Sequence, residues 1–168
     1  IVSLPLSVGL FSTLSHLDRI GSRNVNIVEN TMGGVKGSKE LLEYLLSVER
    51  HLRLFDIVPA QKHLSQAVES YQLADGRVVY LLALPAEGKM RKKINTLKSM
   101  LDSFGKDLVK IEKEAEIGQG GMGRLFDRMK ECRTRAYEIG VDLSKWVEAE
   151  VESMSQSIRS AERTLTYQ

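Results

Sequence analysis

Cysteine is nearly absent from this 168-residue chain: Cys132 stands alone. No internal disulfide can form, and one thiol does not distinguish an oxidising from a reducing compartment. Proline is scarce, with three residues, and aromatic side chains make up only 6% of the sequence. Sheet proteins draw heavily on aromatic and turn-forming residues, so this profile points to helices. Charge of one sign is missing too. Lys and Arg number 24 against 22 Asp and Glu, interspersed and without blocks, which leaves no basic footprint for nucleic acid. The three histidines, His16, His51 and His63, have no i,i+3 or i,i+4 partner among themselves or with Cys132, so no metal site is expected from spacing. No catalytic constellation and no cofactor is expected either.

Long hydrophobic runs are also lacking. The opening IVSLPLSVGLF is apolar and uncharged, yet shorter than the roughly 20 residues a membrane-spanning helix needs. It carries no basic region or small-residue cleavage site of a signal peptide. The chain begins with Ile1 and reads as a piece of a longer protein, with residues 1–14 as the trailing end of a transmembrane helix. A core-facing N-terminal helix of a soluble protein is the alternative.

What is present is helical periodicity. In LLEYLLSVERHLRLF, Leu41, Leu42, Leu45, Val48, Leu52 and Phe55 fall on one helix face, while Glu43, Glu49, Arg50 and Arg53 lie off it. Upstream, Leu10, Leu14, Leu17, Ile20, Val28, Met32 and Val35 keep the same spacing. Gly33, Gly34 and Gly37 interrupt the run at about 1 kcal/mol each against alanine, marking a weakened or kinked point, a hinge, or a close helix contact. Pro59 ends this first long helix and suits the first turn of the next, which is expected to run from Pro59. The next carries Leu64, Val68 and Tyr71; RVVYLLAL, residues 77–84, has strand-like composition but no second strand to pair with, so it reads as the helix resuming up to Pro85.

A third helix steps through Met90, Ile94, Leu97, Leu101, Phe104, Leu108 and Ile111 without a miss. GQGGMG, residues 118–123, formally fits the dinucleotide fingerprint G-x-G-x-x-G but lacks a preceding strand, and is expected to be a glycine-rich hairpin. The last helix, from about Met122, carries Leu125, Met129, Cys132, Ala136, Ile139 and Leu143, then Val147 and Val151 in a stutter, then Met154, Ile158, Ala161 and Leu165. Cys132 reads as core and Trp146 as packing beside the seam. The expectation is one all-α domain over 1–168, an antiparallel four-helix bundle with long first and last helices and both ends at one pole.

In this order the chain resembles the extracytoplasmic sensor region of bacterial membrane-bound sensor histidine kinases. The opening IVSLPLSVGLFSTLSHLDRI is similar to the end of a first transmembrane helix. Val48-Glu49-Arg50-x-x-Arg53, followed by Phe55 and Asp56, resembles the acidic-arginine motif at the end of that family's first long helix, with Val48 where the family usually has Met. The closing AEVESMSQSIRSAERTLTYQ resembles a lead-in to the second transmembrane helix.

The resemblance implies a signal-transduction role in a two-component system, in the bacterial inner membrane with this domain in the periplasm. It implies a parallel homodimer and a cytoplasmic response regulator reached through a kinase domain outside these residues. Glu49, Arg50 and Arg53 become the candidate sensing residues, and Gly33, Gly34 and Gly37 the candidate hinge. A chemoreceptor ligand-binding region or a soluble helical interaction domain shares the same layout.

Overall fold

A computed structural model describes the backbone of residues 4–85, 88–114 and 119–166, and side chains over 29–30, 32–85, 88–112 and 122–160. Four helices account for nearly all of it: α1, Leu4–Ile57; α2, Gln61–Ala83; α3, Gly88–Glu114; and α4, Gln119–Thr166. No strand occurs among the described residues. The fold is an all-α, antiparallel four-helix bundle with long first and last helices.

The boundaries follow from backbone chemistry. The Val58 amide donates to the Leu54 carbonyl at 2.8 Å as the last bond of α1. Pro59 then has no N–H to offer, and it lies in the connection, two residues ahead of α2. Ala60 is extended and gives α2 no side-chain cap. At the other end Leu84 is pushed to φ −68, ψ 152 ahead of Pro85. Gly88 opens α3 with φ 54, a left-handed conformation that favours glycine.

The chain divides into two units. One joins Ile1–Met32 with Lys145–Gln168, and the other is Gly33–Ser144, so α1 and α4 take part in both. In the second unit the core is one continuous stripe per helix. Leu41, Leu45, Val48 and Leu52 of α1, Leu64, Ala67, Ala74, Val78 and Leu81 of α2, Ile94 to Leu108 at seam spacing in α3, and Met122 to Leu143 in α4 are buried. Leu42 and Phe55 turn out half-buried, as do Val68, Tyr71, Met90 and Ile111. The buried face of α2 combines Leu64, Val78 and Leu81 with the small residues Ala67, Ser70 and Ala74. They let α2 lie close to its neighbours, a choice that reading only large side chains does not reveal.

Cross-helix contacts fix the antiparallel register. Between α1 and α2, Ser47 Oγ meets Ser70 Oγ at 2.9 Å and Arg77 Nε meets Glu40 at 2.8 Å. Between α2 and α3, Lys98 Nζ reaches Asp75 at 2.9 Å. Between α3 and α4, Lys93 pairs with Asp142 and Arg128 with Asp107. Tyr71 tilts against Phe104 with ring centroids 6.0 Å apart and lies over Gly105, where an added Cβ would come within 2.1 Å of its hydroxyl.

Over the described residues, the glycine-rich stretches lie within helices. The α1 helix runs unbroken through Gly33, Gly34 and Gly37. In GQGGMG, Gly118 lies outside the described residues, but residues 119–123 form the start of α4 and not a hairpin. The stripe of α4 ends at Leu143: Val147 and Met154 are half-buried, Val151 and Ile158 are 45% and 54% exposed, and the side chains of Ala161 and Leu165 lie outside the described residues. Trp146, half-buried, donates from Nε1 to Glu150 one turn on, at 3.3 Å. Of the expected membrane-helix end at 1–14, residues 1–3 and the side chains of 4–14 are outside the description. Among the described residues no helix is long and apolar enough to cross a membrane.

Leu101→Ala, at a fully buried seam position, is expected to cost about 2–5 kcal/mol in urea unfolding. Gly105→Ala should also destabilise: overpacking against Tyr71 costs about 1–3 kcal/mol, only partly offset by the roughly 1 kcal/mol gained in helix propensity. A Gly105→Ala protein with a raised urea midpoint would contradict the Tyr71 placement.

Candidate functional site

Glu49, Arg50 and Arg53 lie on the last two turns of α1, and the helix sends them to different places. Glu49 Oε1 accepts from Arg53 Nη2 at 2.8 Å and Nε at 3.1 Å, the i,i+4 pair that the spacing predicts. Its other oxygen, Oε2, accepts from Arg133 Nη1 on α4. The Glu49 side chain is only 16% exposed, against 65% for Arg53, so the carboxylate sits at the α1–α4 contact. The Arg53 guanidinium lies over the Phe126 ring of α4, 5.3 Å from its centroid. Glu49 and Arg53 therefore tie α1 to α4. Arg50 is exposed and not drawn into this cluster.

Arg133 and Phe126 are the members that sequence reasoning does not find. Each follows a buried seam residue, Cys132 or Leu125, and is half-buried at the edge of the stripe. Edge position on an amphipathic helix is the one local signal, and it does not name a partner 84 residues away.

The glycines of α1 prove to be contact points. An added Cβ would meet the Tyr80 hydroxyl at 2.8 Å from Gly33, Leu84 Cδ1 at 3.2 Å and Leu143 Cδ2 at 3.4 Å from Gly34, and the Tyr80 ring at 3.0 Å from Gly37. Gly140 gives the same relief on α4, where a Cβ would meet Ser38 Oγ at 3.0 Å. Ser38 is buried and satisfied by donating to the Val35 carbonyl at 2.8 Å. Arg77 stacks 5.8 Å above Tyr80, fixing the ring that covers Gly33 and Gly37.

The chemistry on offer is that of contact and charge. Burial, then the Glu131 carboxylate, push the Cys132 thiol up to about 11, so it stays protonated and behaves as a core side chain. Burial, then Asp75 and Asp102, raise the Tyr71 phenol. Among the described residues no group of three or more His, Cys, Asp or Glu side chains is placed to hold a metal ion. An open recess of about 670 Å³ lies between Met100 of α3 and a row of mixed charges on α4 that includes Asp127, Lys130 and Arg135. No protein-family model matches the chain, and neither does any curated protein or solved structure.

A double-mutant cycle of Glu49→Gln with Arg133→Gln should return a coupling energy of about 0.5–1.5 kcal/mol, reduced by added salt. Zero coupling would remove the α1–α4 clamp. Cys132 should resist alkylation at neutral pH in the folded protein and react once urea unfolds it; fast labelling of the native chain would place the thiol outside the core.

Proposed function

We propose that the chain is the extracytoplasmic sensor region of a bacterial membrane-bound sensor histidine kinase. It lies on the periplasmic side of the inner membrane as a parallel homodimer and acts on a response regulator through a kinase domain outside these residues. The acidic-arginine motif and the order of long and short helices support this reading. The observation that carries it is the position of Glu49 between Arg53 of its own helix and Arg133 of α4. In such a protein α1 and α4 are the helices that continue toward the membrane. A motif that ties these two together is placed to sense a shift of one against the other.

Packed helices slide or tilt by an ångström or two more cheaply than they unfold. Along the α1–α4 contact, Gly34 against Leu143 and Gly140 against Ser38 present little side-chain relief to resist such a slide. The Glu49–Arg133 pair is the directional bond that a slide stretches or restores. A stimulus that competes for Arg53 or Arg133, or relieves Glu49, biases that equilibrium by no more than its differential affinity for the two arrangements.

In the full-length protein, replacing Gly33, Gly34 and Gly37 by alanine should lock autophosphorylation high or low without unfolding the domain, because each new methyl presses on Tyr80, Leu84 or Leu143. An unchanged response would take the glycine contacts out of the mechanism. A full-length protein that neither fractionates with membranes nor passes phosphate to a response regulator would overturn the sensor-kinase reading itself.

A further inference from the structure

His51 lies near the end of α1 and His63 in the first turns of α2, on either side of the short Val58–Ala60 connection. Both side chains are half-buried. Among the described residues the Nδ1 atom of each is sealed from solvent and has no hydrogen-bond partner. A neutral imidazole tolerates this, since one ring nitrogen is a bare acceptor and the proton can reside on Nε2. A protonated ring does not. Its Nδ1 becomes an N–H donor, and a buried donor with nothing to accept its proton is unfavourable enough to drive rearrangement.

We infer that His51, beside His63 at the α1–α2 junction, is a proton-operated latch: a neutral His51 ring lets the junction close, and proton uptake turns it out until its Nδ1 finds an acceptor. The charges around the pair set the direction. Arg50 on α1 and His63 on α2 both oppose a positive charge on His51, while Glu69 on α2 favours one. Glu69 is thus the carboxylate toward which a charged ring is drawn. From α3, the Glu112 carboxylate accepts from Ser65 Oγ at 3.4 Å at the same end of α2. From α4, Arg133 is already held by Glu49. Burial first, then His63 and Arg50, hold His51 below the ordinary imidazole value of 6.5.

The sign follows by linkage. The unfolded chain takes up a proton at His51 more readily than the folded chain. The contribution to stability is therefore whole above the ordinary imidazole value and is lost as the pH falls through the lower folded one. Its meaning as a signal rests on the sensor reading, naming acidity as an input to the same site; the latch itself does not.

Amide hydrogen exchange on the 168-residue chain, corrected for intrinsic rates, tests it between about pH 8 and about pH 5. Protection over residues 54–66 should fall by about tenfold or more at the acid end, with residues 94–108 unchanged. The fall should vanish in His51→Gln/His63→Gln and move to lower pH in Glu69→Gln, and it should persist in the presence of a chelator. Equal protection at both pH values overturns the latch, as does a fall that survives the double substitution or one that a chelator abolishes. Should the double variant fail to fold, imidazole NMR titration of the wild-type chain decides: ring protonation with no matching shift at the 54–66 amides overturns the proposal, and coincident midpoints support it. Kinase output of the full-length protein is read separately, so a latch that opens without changing output stands while the sensor reading fails.

Discussion

Tyrosine laid over glycine sets how closely the helices of the four-helix unit approach one another. Tyr71 covers Gly105 of α3, and Tyr80 covers Gly33 and Gly37 of α1. Both rings project from α2, whose buried face is otherwise made of Ala67, Ser70, Ala74 and three larger aliphatic residues. The glycines that weaken α1 and α3 as isolated helices leave room for the tyrosine rings of α2.

Polar groups at these close contacts are arranged to follow the packing. Ser47 meets Ser70, Ser38 meets its own helix carbonyl, and Arg77 joins Glu40 while stacking on Tyr80. Charges at the seam edges cross between helices, as in Lys98 with Asp75 and Lys93 with Asp142. Such half-exposed pairs add little stability one by one, but they penalise a register slip, because a slip of one turn leaves each charge facing a different neighbour. The Glu49 cluster follows the same design with less solvent. Its carboxylate serves two guanidiniums at once, one on α1 and one on α4.

The end of the unit holding the α1–α2 connection is built differently from its core. There, among the described residues, the Nδ1 atoms of His51 and His63 are enclosed without partners, where elsewhere Ser38 and Ser70 are enclosed with them. Leu101 and Phe104, by contrast, are fully buried in the core.

Much of the fold was legible in the chain itself. The seam from Ile94 to Leu108, the stops at Pro59 and Pro85, the helical reading of residues 77–84, and the burial of Cys132 all follow from spacing and backbone chemistry that act within a few residues. Spacing also paired Glu49 with Arg53, since i and i+4 meet on any helix. Tertiary structure alone decided that Glu49 also binds Arg133, that Arg53 lies on Phe126 and Arg50 on neither, and that Gly33, Gly34 and Gly37 receive Tyr80, Leu84 and Leu143. It alone left the α4 stripe without burial beyond Leu143 at Val151 and Ile158. The physical reason is register. Periodicity tells which face of a helix turns inward, but which residue of another helix stands opposite depends on how far the two have slid along each other, and that is fixed only when all the side chains of the core have found room at once.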